Sequence, residues 1–263
     1  MRVLFIGDIF GSPGRDALKE MLPLLRQNYQ PDFVLVNGEN AAAGRGITAK
    51  IAQSFFSWGV DGITMGNHTW DNKEIYELIE ADGRIVRPAN FPEGSPGRGF
   101  MVLRKGRLRL GVLNLQGRTF LPPLDCPFRK AEEYLHRDDE CSHLLVDFHA
   151  EASSEKLAFA WHLDGRVAAV VGTHTHVQTN DARILPEGTA YLTDVGMTGP
   201  YDGIIGMERN AVIRKFLTQL PVRFEPQAGR WQLNACVIDL NPSGRTAKSI
   251  IPVRVDSDHP WLQ

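Results

Sequence analysis

The segment Gly172-Thr-His-Thr-His176 places two imidazoles one residue apart, directly behind the apolar run Ala168–Val171. One histidine at a strand end is usually a satisfied polar group. Two at this spacing, after a glycine, point to something held between them. The same pattern recurs along the chain. Asp8 follows the apolar run Val3–Ile6, Glu39 and Asn40 follow Phe33–Val36, Asn67 and His68 follow Ile63–Met65, and His149 follows Leu144–Val146. Each has a plain reading alone: Asp8 could start a turn, Glu39 could cap the next segment, and His149 could be a partly buried histidine. Their joint recurrence behind five apolar runs is what those readings leave unexplained. The set holds two carboxylates, two amides and several imidazoles and no thiolate, a mixed oxygen and nitrogen donor set suited to Mn, Fe or Zn.

There are too many donors for one tetrahedral ion. Two ions bridged by a shared carboxylate and a hydroxide would use them all. Such a pair, roughly 3.5–4 Å apart, suits in-line displacement at phosphorus, because it acidifies a water and offsets charge on the phosphoryl oxygens. Asn67 can ligate through its amide oxygen, which turns His68 elsewhere. His68 is therefore read as the proton donor to a leaving oxygen, the alternative being that it orients Asn67 or a bound anion. His136, His143, His162 and His259 stand in helical, edge or tail contexts and are expected to face solvent.

These residues need elements to position them. Short, wholly apolar runs ending in polar turns read as strands buried on both faces. Leu18, Met21, Leu22 and Leu25 fall at helical spacing in a helix expected from about Arg15 to Tyr29, with Pro23 predicting a kink or early stop. Thr48 is a helix N-cap candidate. The resulting β-α-β-α-β order predicts parallel pairing, and in such sheets ligands lie beyond the carboxyl ends of the strands. Further on, Gly99–Leu103 and Leu108–Leu115 flank a hairpin turn at Lys105-Gly106, a helix is expected near Arg129–Arg137 and another near Ser154–His162, and short strands follow at 182–185, 190–193, 235–240 and 250–255. No repeat, low-complexity linker or composition break divides the chain, so residues 1–263 are expected to form a single domain. A mixed sheet, or two sheets packed together, fits the pattern.

The chain has 263 residues and a net charge of −2, which offers no electrostatic basis for wrapping a polyanion. Three cysteines, widely spaced and without a CxxC, argue against a zinc ribbon and a disulfide scaffold. No stretch approaches the length of a membrane span or has the form of a signal peptide, so a cytoplasmic location is expected. "GDIFGSPG" lacks the GxGxxG of a dinucleotide fold and matches no P-loop.

The motifs GDIFGSPGR, VNGENAAAGRGIT, GNHTWDN, DFHAEASSEK, VVGTHTHVQTND and TDVGMTGPYDGIIGM resemble, in order and to about residue 255, those of calcineurin-like metallophosphoesterases, and more closely the YmdB-like bacterial subfamily. The superfamily pattern begins Asp-x-His. Here the third position is Phe10, and Glu39 stands where a bridging aspartate is usual. The resemblance implies a four-layer α/β/β/α sandwich of two mixed sheets. It implies one metal on Asp8, Glu39, Asn40 and His176, and a second on Glu39, Asn67, His149 and His174, with His68 as the acid. It implies a dinuclear phosphodiesterase acting on cyclic nucleotides, 2′,3′-cyclic ones in particular, by attack of a metal-bridging hydroxide. Iron or manganese is the expected metal, with zinc or magnesium as alternatives. RNA termini as substrate and homo-oligomerisation stay open, as do a weakly catalytic nucleotide sensor and a phosphomonoesterase. Two readings also stay open for Gly196–Met207, a surface turn cluster or a loop that approaches phosphate, and Arg45 could contact phosphate or simply be solvated. Asp147, Glu151 and Asp194 are candidates to hold the free ring nitrogens of the histidines.

Overall fold

The computed structural model describes residues 1–135 and 141–260, and the expectation for His136 lies outside them; the helix expected near 129–137 runs Pro127–Glu132 and gives way to a turn. The first half runs β1 (Arg2–Ile6), α1 (Gly11–Tyr29), β2 (Phe33–Asn37), α2 (Ala49–Trp58), β3 (Gly62–Thr64), α3 (Ile75–Ala81) and β4 (Ile85–Val86). The second sheet is then built from β5 (Phe100–Lys105), β6 (Leu108–Gln116), α4 (Pro127–Glu132), β7 (His143–His149), α5 (Ser153–His162), β8 (Ala169–Thr173), β9 (Arg183–Ile184) and β10 (Ala190–Leu192). The chain closes with β11 (Gly199–Pro200), α6 (Arg209–Thr218), β12 (Trp231–Leu240) and β13 (Ala247–Val255).

One sheet has the order β11-β12-β1-β2-β3-β4 with β13 beside β12; the other has the order β5-β6-β7-β8-β10-β9. β1 to β4 pair in parallel and β12 runs antiparallel to β1. β6, β7, β8 and β10 are parallel, with β5 and β9 antiparallel at the two edges. Both sheets are therefore mixed, as expected.

The apolar runs are continuous because both faces of each strand are covered. Val3, Phe5, Phe33 and Leu35 point at the other sheet, where they meet Leu110, Val112, Leu145 and Val171. Their neighbours Leu4, Ile6, Val34 and Val36 point the opposite way, onto Leu18, Leu22 and Leu25 of α1 and Phe55 of α2. On the far side, Leu113, Val146, Phe148 and Val170 pack against Phe159 and Ala160 of α5. Three apolar layers separated by two sheets make the α/β/β/α sandwich, and the two-residue period of a strand sorts alternate side chains into alternate layers.

Three details differ from expectation. Helix α1 starts at Gly11 and runs unbroken through Pro23 to Tyr29. Pro23 lies on the solvent face, where the carbonyl one turn back can bond water instead of the missing N–H. His143 is buried, with Nδ1 on the Ser142 hydroxyl and Nε2 on the Asn241 carbonyl. Helix α6, which shows no apolar helical stripe turned inward, buries only Val212.

Candidate functional site

The carboxyl ends of β1, β2 and β3 from one sheet meet those of β7 and β8 from the other, and the eight residues singled out above meet there. Asp8 follows β1 by two residues and is fully buried. Its Oδ2 accepts the His174 backbone N–H at 3.3 Å, while Oδ1 has no donor among the described residues. A buried carboxylate oxygen without a partner is costly and asks for a cation or a water. Glu39 lies in the turn after β2. Its Oε2 accepts the His68 backbone N–H at 3.0 Å, and Oε1 lies 3.1 Å from His149 Nε2 and 3.2 Å from Asn40 Nδ2. Gly66 makes this approach physically open: a Cβ there would overlap both the Glu39 carboxylate and the His149 ring.

His149 is the last residue of β7. Its Nδ1 faces the Thr173 hydroxyl at 2.9 Å, and that hydroxyl donates to Asp147 Oδ1 at 2.7 Å. Because the hydroxyl hydrogen is committed to Asp147, Thr173 can only accept, which places the imidazole proton on Nδ1. Nε2 then faces Glu39, Asn67 Oδ1 at 2.9 Å and His174 Nδ1 at 3.1 Å. His174 turns its other nitrogen to Glu151 at 3.1 Å. His176 donates Nδ1–H to the Ile205 carbonyl at 3.0 Å and points Nε2 at the Asn40 amide, 3.2 Å away. Both His174 (φ 105°) and His176 (φ 67°) hold left-handed backbone, a costly conformation for such residues that concentrates at functional sites.

The electrostatics follow from this crowding. Burial raises the Asp8 carboxyl, with His176 and His149 only partly opposing it. Burial works the same way on Glu39 but is outweighed by His149, which holds the Glu39 carboxyl below its ordinary range. Burial would lower His149, yet Glu39 overrides it and lifts the ring to about 9. Burial, reinforced by His149, drops His174 to about 3.

These residues fit cations. One ring nitrogen of His149 can carry one proton or one lone pair, so it cannot satisfy Glu39, Asn67 and His174 together. Ligand atoms of Glu39, His149 and His174 all lie within 4.8 Å of one another. A cation among them would collect the lone pairs that now face each other, and the unpartnered Asp8 Oδ1 offers a further oxygen donor at this edge.

A cleft of about 390 Å³ opens over the cluster, lined by Phe10, Arg45, His68, Glu151, Ile205 and Met207 among others. His68 presents Nδ1 to Asp71 Oδ2 at 2.8 Å and lines the cleft. Arg45 is largely exposed at the rim, 4.0 Å from the same carboxylate. Phe10 packs edge-on against His176, with ring centroids 5.5 Å apart, so an aromatic wedge stands where the superfamily pattern has a histidine. The Gly196–Met207 segment reaches the site through the Ile205 carbonyl and the Met207 side chain.

Several contributors escaped sequence reasoning. Asp71 lies three residues after His68, a spacing that could have suggested the contact. Thr173 and the Ile205 carbonyl carry no residue-type signal, because a threonine in a strand and a backbone oxygen look like any other.

A two-sheet sandwich with carboxylate, amide and imidazole donors gathered at one edge defines a protein of the metallophosphoesterase class. A model of the YmdB-like protein family matches residues 4–253, and the chain belongs to that family. It is 55% identical over 264 residues to the 2′,3′-cyclic-nucleotide 2′-phosphodiesterase of Bacillus subtilis, covering 100% of both chains. Among solved structures, a hypothetical protein from Thermus thermophilus superposes with a TM-score of 0.92 at 45% identity, covering 97% of this chain and 99% of that one. A novel phosphatase from Mycoplasma pneumoniae gives 0.91 at 36%, covering 97% and 93%.

Proposed function

We propose that this protein is a metal-dependent phosphodiesterase that opens 2′,3′-cyclic nucleotides. The observation that carries the reading is the meeting of Asp8, Glu39, Asn40, Asn67, His149, His174 and His176 at one sandwich edge under a cleft. The 55% identity to a relative bearing that activity supports the choice of substrate. Asp8, Glu39, Asn40 and His176 would hold one cation, and Glu39, Asn67, His149 and His174 a second, with Glu39 shared. When bound, the ions supply positive charge to the phosphoryl oxygens and lower the pKa of water.

The chain's own residues do the rest. Hydrolysis adds OH to phosphorus and breaks one P–O bond of the ring, and the departing ribose oxygen needs a proton. His68 lines the cleft and can give it, while Asp71 on Nδ1 fixes the ring's orientation. Thr173, Glu151 and the Ile205 carbonyl hold the outer nitrogens of His149, His174 and His176, so that the inner nitrogens point inward. Asn40 must turn its amide over to offer oxygen instead of nitrogen, an exchange that fits the same space.

The test is hydrolysis of 2′,3′-cyclic AMP by metal-stripped protein with Mn²⁺ or Fe²⁺ restored. The expected result is turnover to a nucleoside monophosphate that a chelator abolishes. Binding of the nucleotide without turnover would favour a sensor instead, a reading that Phe10 in place of a ligand keeps open.

A further inference from the structure

Behind the cluster, away from the cleft, lies a charged pair that the reaction does not use. Lys156 of α5 is 1% exposed and Asp194, after β10, is fully buried. Lys156 Nζ donates to Asp194 Oδ2 at 2.7 Å and to the Thr173 carbonyl at 2.9 Å. The same Oδ2 accepts the Thr175 backbone N–H at 3.0 Å and the Thr175 hydroxyl at 2.8 Å, and Oδ1 accepts the Gly196 N–H at 2.8 Å.

A buried ion pair is a poor source of stability, since stripping two charges of water offsets most of their attraction, and apolar side chains of similar size fill such places at least as well. What this pair does grip is the chain on either side of His174: the carbonyl before it through Lys156, the amide after it through Asp194. The His174 N–H itself goes to Asp8. Backbone groups of three successive residues are thus tied down across a segment whose two histidines both hold left-handed φ. The result sends the imidazoles to different partners, His174 to His149 and His176 to Asn40. Because the pair is neutral as a whole, it can lie beneath cations without opposing them.

We propose that Lys156 and Asp194 are positioning residues that set the backbone of Thr173–His176 so that both histidines face the metal site. The inference rests on the reading that these histidines hold cations. A pair that merely props the fold and a pair that aims the loop differ in what is lost when both charges go.

The experiment measures Mn²⁺ affinity by calorimetry and metal-free Tm for the full chain and for Lys156→Met, Lys156→Met/Asp194→Asn and Thr175→Val. The double variant leaves no unpaired buried charge, so its metal-free Tm should recover most of what Lys156→Met loses, while its Mn²⁺ affinity stays about tenfold or more weaker, the scale set by losing support behind a ligand. Thr175→Val leaves the ion pair whole and removes only the hydroxyl's hold on it; its Tm should fall by no more than a few degrees and its affinity several-fold. Wild-type Mn²⁺ affinity in the double variant or in Thr175→Val overturns the proposal, whether or not Lys156→Met folds. Failure of the wild-type chain to bind Mn²⁺ at all overturns the underlying metal reading, and the proposal with it.

Discussion

His149 meets Glu39, Asn67 and His174 at a single nitrogen, and that congestion has a consequence in protons. With Glu39 holding its ring at about 9, His149 is cationic at neutral pH in the metal-free chain and must lose that proton to ligate. His174, at about 3, is already neutral, and Glu39, held low, is already anionic. Loading Mn²⁺ near neutral pH should therefore release about one proton from this cluster. The release should vanish as pH rises through about 9 and grow toward pH 6, where the raised Asp8 carboxyl adds its own. Calorimetry in buffers of different protonation enthalpy measures it, and zero release at neutral pH would contradict the assigned ion pair. For the metal-free fold the signs are opposite for the two partners. The contribution of His149 is present below its unfolded pKa and lost as pH climbs through about 9, and that of Glu39 is lost as pH falls below the ordinary carboxylate range. The cleft side of the cluster gives a second prediction. His68→Ala should keep full metal content by elemental analysis and lose roughly 10²–10⁴ in turnover, the usual worth of a placed acid. Unchanged turnover would remove the acid assignment. Side chains able to bind metal could be read directly from their types and places. The groups that aim them could not, because Thr173 and the Ile205 carbonyl do their part through local geometry that residue type does not encode.

At the scale of elements, the turns matter more than the strands they follow. The turn after β3 must bring Asn67 and His68 in beside the Glu39 carboxylate, and only a residue without a Cβ fits at Gly66. Gly66→Ala should displace Glu39 or His149 and weaken metal binding at least as much as loss of an outer support, about tenfold or more. The sheet core, which the Gly66 turn does not enter, should leave the far-ultraviolet circular dichroism unchanged. Native metal affinity in this variant would mean that the site is looser than the packing implies. Runs such as Val3–Ile6 and Phe33–Val36 could be recognised as strands because burial on both faces leaves no polar position. Thr48 was readable as a cap, and its hydroxyl accepts the Ile51 N–H at 3.2 Å. Helix α6 was missed although Val212, Ile213, Phe216 and Leu217 fall at helical spacing; that stripe turns to solvent, with Ile213, Phe216 and Leu217 exposed. The run through Pro23 escaped for a different reason: proline's cost depends on whether the freed carbonyl meets water, which is a tertiary fact.

The whole molecule explains why donors so far apart in sequence share one site. Two sheets stacked through Phe5, Leu35, Val112 and Val171 align the carboxyl ends of β1–β3 with those of β7 and β8. The site is thus split between sheets, with Asp8, Glu39, Asn40 and Asn67 on one side and His149, His174 and His176 on the other. Parallel order in the first half was legible from the alternation of strands and helices. That the two halves stack face to face came from the resemblance of the motifs and not from composition, because a strand buried by a helix layer and one buried by a second sheet have the same composition. Among the described residues no helix is long and apolar enough to cross a membrane. Glu39 reaches groups from both halves, through Asn40 on its own sheet and His149 on the other. The most direct measurement is anomalous diffraction from crystals of the Mn²⁺-loaded chain. Two peaks roughly 3.5–4 Å apart, flanking the Glu39 carboxylate and within reach of all seven donors, are the predicted result. A single peak, or metal found away from Glu39, would contradict the account.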